Sequence, residues 1–328
     1  MHMADALISP AVGATFWVAS AATLACSARV LRKDSDEPRI PLMGVLAAFI
    51  FAAQMINFTI PGTGSSGHLG GGLILAILLG PWAGFLAMAS VLTVQALFFA
   101  DGGLLALGCN IFNLGVPTCF IAYPLVYRPL IGSNPGVNRI LAVSLLAAVV
   151  GLQLGAFGVV LETTFSGVAE LPFNTFVLAM QPIHLAIGII EGLVTAAVVT
   201  FIYKARPDFI RASELEQAPA LSIRQVAVSL LVVALFTGGF ASWFASEYPD
   251  GLEWSLAIVS GKGELESPEH GIHSSLASLQ EKTALLPDYD FKGGEGSKSG
   301  TSTAGVFGGF LTLAIVGVIA LVLRKKKP

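Results

Sequence analysis

The chain has 328 residues, 54% hydrophobic and only 12% charged, with a net charge of -3, against about 25% charged residues in an ordinary soluble domain. So little charge cannot cover a water-soluble surface of this size, which excludes a cytosolic globular enzyme, a disordered chain and a basic nucleic-acid binder. A mean hydropathy of +0.77 and 36 glycines point instead to an all-α polytopic membrane protein with closely packed helices.

About 20 apolar residues cross roughly 30 Å of hydrocarbon. Runs of that kind lie at 11 to 31, 40 to 60, 107 to 127, 138 to 161, 176 to 203, 222 to 245 and 304 to 323. The stretch Gly70 to Ala100 is longer and is interrupted by Gly80-Pro81. Read as two short arms, it places Arg29, Arg32, Lys33, Arg39, Arg128, Arg139, Lys204, Arg206, Arg211, Arg224 and the terminal Arg324 to Lys327 on one side. The remaining lysines, Lys262, Lys282, Lys292 and Lys298, share one long loop, where the positive-inside rule carries little weight. The expectation is therefore nine helices, with the amino terminus outside and the carboxyl terminus cytoplasmic.

These divide into a seven-helix body over residues 1–207 and a second part over 208–328. The second part comprises the polar linker Pro207 to Ile223, a two-helix hairpin, and an outside loop at 246–303 that reads as a solvated segment with a surplus of acids. Gly293-Gly294-Glu295-Gly296-Ser297 has the composition of a flexible linker. Met1 to Pro10 lacks the basic start of a cleavable leader. Met1 is therefore expected to remain, the more so because His2 is not the small residue that trimming generally needs.

Reactive side chains are few. With a free terminal amine, the Met1 nitrogen, the His2 main-chain nitrogen and the His2 imidazole can close two fused chelate rings on one metal. His68, in the loop Pro61 to His68 on the same expected face, can supply a fourth nitrogen. Four nitrogens in a plane suit Ni(II) or Cu(II), whereas zinc prefers a tetrahedron. Such donors must be deprotonated, so binding should weaken in acid. The alternative is a polar terminus and a loop histidine that bonds locally.

Met1-His2-Met3-Ala4-Asp5-Ala6, Phe51 to Phe58, Gly67-His68-Leu69-Gly70-Gly71, Leu79-Gly80-Pro81-Trp82 and Gln181-Pro182-Ile183-His184 resemble the substrate-capture components of energy-coupling-factor nickel and cobalt transporters. Pro249-Asp250-Gly251-Leu252-Glu253 looks like the accessory small subunit of the nickel type, fused to the carboxyl end. The chain departs at Met3 and Ala6, where the family start usually has Ile and Gly. The resemblance implies a seven-helix capture protein in the plasma (inner) membrane, whose terminal segment plugs into the body from outside. It implies metal held at Met1, His2 and His68, with nickel preferred, cobalt the alternative, and no cofactor besides the transported ion. It also implies a membrane coupling protein and two ATPase subunits as partners.

Polar residues at outer helix ends form a candidate layer that orients the donors: Gln54 and Asn57, three apart on one face of the second helix, then Gln95, Asp101, Asn110 and Asn113. Amides between membrane helices also simply bond helix to helix. His184 and Glu191, seven apart on one face inside the membrane, suggest a release route, a hinge at Pro182 or a structural contact. His270 and His273 are candidates for transient metal collection, whereas Cys26, Cys109 and Cys119 read as packing residues. Small residues four apart, Ala21 with Ala25, Gly151 with Gly155 and Gly188 with Gly192, offer docking faces for a partner or for packing within the chain.

No phosphate loop is present, since Gly261-Lys262-Gly263 lacks the hydroxyl residue. ATP hydrolysis is therefore expected on other polypeptides, and the chain is not read as an enzyme. Two competing readings are a metal channel or exporter without ATPases and a rhomboid-like intramembrane serine protease. The latter would use Gly64-Ser65-Ser66-Gly67 with His184 as base.

Overall fold

The computed structural model describes residues 1–33, 40–206, 220–262, 265, 267–268, 271–294 and 296–323. Most of the linker beginning at Pro207, the terminal basic run and His270 lie outside the described residues. The helices, in chain order, are α1 (Pro10–Lys33), α2 (Ile40–Gln54), α3 (Gly72–Leu79), α4 (Pro81–Phe99), α5 (Leu107–Ile131), α6 (Val137–Ser166), α7 (Phe173–Ala205), α8 (Ile223–Gly239), α9 (Gly251–Ser260), α10 (Ile272–Thr283) and α11 (Lys298–Leu323). Among the described residues six are long and apolar enough to cross a membrane, namely α1, α4, α5, α6, α7 and α11. Leu42–Gln54 and Ile223–Gly239 are shorter apolar helices.

The break expected at Gly80-Pro81 is present. Gly80 has φ of 84°, open to a residue without Cβ, and Pro81 starts α4 at the position where its missing N–H costs nothing. At eight residues α3 spans about 12 Å, less than half the hydrocarbon thickness. All of its residues are buried by protein, which is how such an arm is tolerated. In α5, the stretch Pro117–Tyr127 is wound as a π-helix around the internal Pro124. Proline cannot donate to the ordinary ladder, and the wider winding accommodates that gap.

Two expectations are corrected, and one open alternative is decided for the glycine pairs. The second span ends at Gln54 rather than at 60, and the chain then forms a two-stranded antiparallel hairpin, β1 (Phe58–Ile60) with β2 (Ser65–Gly67), pairing Phe58 with Gly67. The fold is thus not purely helical, and Asn57 lies beyond α2, so it shares no helix face with Gln54. The glycine pairs are spent inside the chain. A Cβ on Gly151 or Gly155 would meet Thr118 or the Asn113 carbonyl of α5, and one on Gly188 or Gly192 would meet Val149 or Leu145 of α6. Ala21 and Ala25 are exposed on α1.

The second correction concerns 246–303, which is folded instead of simply solvated. It supplies α9, α10 and the turn Pro287–Tyr289. These pack across one end of the helical body, where Leu285 N and Leu286 N donate to the Phe98 carbonyl. The Gln280 side chain donates to the Ala96 and Gly102 carbonyls. The helices flanking this segment, α8 and α11, lie against α2.

Candidate metal centre

The first nine residues enter the end of the bundle covered by this segment. Met3, Leu7 and Ile8 are fully buried and Met1 is 6% exposed. A buried main chain needs partners for its polar groups, and neighbouring elements provide them. The Asn110 side chain takes both sides of Met3, accepting from its N–H (2.8 Å) and donating to its carbonyl (3.2 Å). Gly103 N donates to the same carbonyl (2.9 Å). The Asp5 carboxylate accepts from Ala106 N (2.9 Å) where α5 begins. Ala6 sits in the short 3-10 turn Asp5–Leu7 and has no positive φ, so the methyl that replaces the family's glycine is accommodated.

This seating brings the three expected donor residues together. The Met1 amine donates to His68 Nε2 at 2.9 Å. The other ring nitrogen, Nδ1, faces the Leu69 carbonyl at 3.1 Å; a carbonyl only accepts, so Nδ1 carries the hydrogen and Nε2 presents its lone pair to Met1. Burial, then the charge of the Met1 amine, then that of His2 lower the His68 imidazole to about 3, leaving it neutral and able to ligate. The His2 ring stacks on His68 with centroids 4.9 Å apart and planes 11° apart. His2 Nδ1 lies 2.9 Å from Asp101 Oδ1, and its Nε2 is buried with no partner among the described residues. The nitrogen that would close the second chelate ring is therefore held by Asp101 in this state. No three His, Cys, Asp or Glu side chains are grouped to hold a metal among the described residues.

The surrounding residues sort into contributors and bystanders. Gln54 Nε2 donates to the Gly70 carbonyl (2.8 Å) and Gln95 donates to Gln54 (2.9 Å), tying α2 and α4 to the loop after His68. Among the described residues Asn57 contributes its carbonyl alone, to Ser246 N. Asn113 bonds Glu162 at 2.7 Å. His184 and Glu191 are both buried but make separate contacts. His184 Nδ1 meets the Met180 carbonyl and its Nε2 has no partner among the described residues. His184 also lines, with Met1, His68, Ile187 and Asp250, a cavity of about 10 Å³, the size of one water-scale occupant. His273 Nε2 is bonded to the Ile8 carbonyl, a pin on the terminal segment. Cys26, Cys109 and Cys119 are free thiols. The Ser66 hydroxyl donates to the Tyr248 carbonyl at 2.7 Å, and among the described residues it is not bonded to His184, whose Nδ1 meets Met180.

Glu191 has a positioning role that the sequence reading did not assign. Its two oxygens accept Gly70 N (2.8 Å) and Gly71 N (3.0 Å) at the start of α3, two and three residues after His68. In Glu191→Gln one of these N–H groups faces an NH2 instead of an acceptor, and a buried donor left unsatisfied costs about 1–3 kcal/mol. Thermal unfolding in lipid nanodiscs should show a lowered midpoint and nickel titration a several-fold weaker affinity. Wild-type values for both would remove Glu191 from this role.

Two groups from the carboxyl-terminal part were likewise missed. Asp250 Oδ2 accepts from the Met1 amine at 2.6 Å, and the Tyr289 hydroxyl donates to Asp101 Oδ2 at 2.5 Å. Burial alone would raise both carboxyls. For Asp250 the Met1 ammonium and His68, and for Asp101 the His2 and Tyr289 contacts, outweigh it and hold each below the usual carboxylate range. The available signal was local: Asp250 and Glu253 form a capping box on α9, which marks a helix start though not what it touches.

Comparison with known proteins identifies the family. Residues 2–209 match the family model described as cobalt uptake substrate-specific transmembrane region, and residues 224–325 match the PDGLE domain. The putative fused nickel transport protein NikMN of Archaeoglobus fulgidus is 36% identical, covering 96% of each chain. The fused nickel transport protein NikMN of Rhodobacter capsulatus is 31% identical, covering 88% of each. A crystal structure of a truncated transition metal transporter superposes with a TM-score of 0.54 at 30% identity, over 62% of this chain and 98% of that one. With a terminal segment seated among the helices, two histidines stacked beside it and a PDGLE segment closing over them, the chain belongs to the substrate-capture components of energy-coupling-factor nickel and cobalt transporters, in the form fused to a PDGLE domain.

Proposed function

We propose that this multi-pass subunit captures Ni(II) from outside through the Met1 amine, the His2 main-chain nitrogen, the His2 imidazole and His68 Nε2. It would deliver the ion to a membrane coupling protein driven by two separate ATPase subunits. The observation that carries the reading is the 2.9 Å between the Met1 nitrogen and His68 Nε2. Two donors each about 2.0–2.1 Å from a metal and at right angles to one another are separated by roughly 2.9 Å. A cation therefore replaces the shared proton without moving either nitrogen. Loading also asks the His2 ring to exchange Asp101 for the metal, by rotation about its Cβ–Cγ bond.

Planar nitrogen ligation favours nickel, as do relatives named for nickel along most of both chains. Cobalt is the second reading, because the matching family description names it and a 31% identical relative of Sorangium cellulosum is a cobalt transport protein. Elemental analysis of the protein loaded from a mixture of the two ions separates them. The distribution of basic residues supports an outside amino terminus and a cytoplasmic carboxyl terminus. A capture part over 1–207 and an accessory part over 208–328 complete the proposed organisation.

The test of the site is His68→Ala, read by nickel titration and by the visible spectrum of the nickel form. Sharing about 10–16 kcal/mol among four donors gives roughly 2.5–4 kcal/mol each, so affinity should fall about 10²- to 10³-fold with displaced bands. An unchanged spectrum would count decisively against His68 as a ligand.

A further inference from the structure

All the donors expected from the sequence lie in the first 68 residues, yet of the Met1 amine's contacts with His68 and Asp250 the shorter is with Asp250. Both carboxylate oxygens are engaged. Oδ1 caps α9, accepting Leu252 N and Glu253 N at 2.8 and 2.9 Å, and Oδ2 takes the amine at 2.6 Å. Asp250 N is in turn bonded to Glu253 Oε2 at 3.0 Å. The carboxylate is therefore as rigid as the helix start that carries it.

That helix start is clamped to the loop bearing His68. Ser66 N donates to the Pro249 carbonyl (2.8 Å), Trp254 Nε1 to the Thr63 carbonyl (2.9 Å) and Ser246 N to the Asn57 carbonyl (2.7 Å). Gly251 makes the approach close, since a Cβ there would lie 2.9 Å from Ile187 and 3.2 Å from the His184 ring. Asp250 and His68 are thus fixed relative to each other before any cation arrives.

The distances decide what the carboxylate does. A fifth ligand above a plane of donors would stand nearly equidistant from neighbouring nitrogens. Oδ2 instead lies 2.6 Å from the Met1 nitrogen and 3.9 Å from His68 Nε2, leaning on the amine alone. We propose that Asp250 is the positioning residue of the metal site: its Oδ2 accepts one N–H of the Met1 amine in the empty and the loaded protein. This aims the nitrogen's lone pair at the space before His68 Nε2 and sets a negative charge beside the divalent cation. The PDGLE segment is then part of the capture site itself, which is assembled from residues 1 and 250 of one chain. The inference rests on the proposed Met1, His2 and His68 site.

The test uses the full chain in lipid nanodiscs with nickel as the probe. Asp250→Asn keeps the helix cap with its one oxygen, because asparagine caps as well as aspartate, and turns an NH2 toward the amine; what it removes is the acceptor for the amine together with the charge. Nickel affinity should fall about 10- to 100-fold, the range for partners that orient a metal ligand, while the visible bands at saturation stay in place because the nitrogens are unchanged. Trp254→Phe, which removes a clamp to the hairpin and leaves Asp250 intact, should weaken binding at most a few-fold.

Wild-type affinity in Asp250→Asn overturns the proposal. So does a loss in Trp254→Phe as large as that in Asp250→Asn, which would make the segment only a cover. Displaced bands in Asp250→Asn would make the carboxylate a ligand and overturn the positioning role. A nickel spectrum indifferent to His68→Ala in otherwise wild-type protein would overturn the site and this inference together, a result distinguishable from a failure of Asp250→Asn alone.

Discussion

Two residues added ahead of Met1 should abolish high-affinity nickel binding. Extension turns the terminal amine into a peptide nitrogen, whose lone pair is delocalised into the carbonyl, and so deletes one donor and one fused ring. On the four-donor division used above, the loss is about 10²- to 10³-fold. Sterics act in the same direction. The Met1 nitrogen sits between His68 and Asp250 at 2.9 and 2.6 Å, on a residue only 6% exposed, so added residues must push one of these neighbours aside. The unextended protein and the extended form are compared by calorimetry and by the visible spectrum of the nickel form. Retained affinity would show that the amine is no ligand.

Much of this site was legible in the sequence because its determinants are local. Fused chelation needs only the order Met1-His2, and the break between α3 and α4 needs only Gly80-Pro81, whose backbone preferences act within one turn. The long apolar runs gave their helices because burial in lipid demands little beyond length and composition. Illegible were the partners that topology supplies. Asp250 is 249 residues from Met1, and Tyr289 is 188 from Asp101. Nothing in a stretch of acids and lysines distinguishes a solvated loop from one whose carboxylates are consumed by a terminal amine, a helix cap or a neighbouring hydroxyl.

The hairpin of β1 and β2 was missed for a related reason. An apolar segment reads as helix until the point where Gln54 turns to serve the Gly70 carbonyl, and three-residue strands carry almost no periodic signal. Asn57 was placed on a helix face by that same extrapolation. The small-residue pairs stay open in the sequence for a different reason: close packing within a chain and docking between chains ask for the same side chains, and only the neighbours of Gly151, Gly155, Gly188 and Gly192 tell them apart.

Gly103→Val should weaken nickel binding as the amino-terminal extension does, by a smaller factor, and differ from it in spectrum. A Cβ at Gly103 would lie 2.5 Å from Asp5 N and would overlap the Asp5 carboxylate, and a main-chain nitrogen has no rotamer by which to withdraw. The terminal segment must shift or leave its seat. It would then loosen the Met3 carbonyl from Gly103 N and Asp5 from Ala106 N. Overpacking of this kind costs about 1–3 kcal/mol. Apparent affinity falls with the fraction of molecules still seated, so the loss is at most the whole penalty, about 5- to 150-fold, and approaches that ceiling only where the seated state is itself favoured by well under about 1 kcal/mol. The donors themselves are untouched. Saturating nickel should therefore pull the segment back and restore the wild-type bands in Gly103→Val, whereas no nickel concentration restores them in the extended chain, which lacks a nitrogen. If Gly103→Val binds as the wild type does, the segment does not need its present seat to capture metal. Bands that stay displaced at saturation would mean that Gly103 acts on the donors directly instead of on the seating of the segment that carries them.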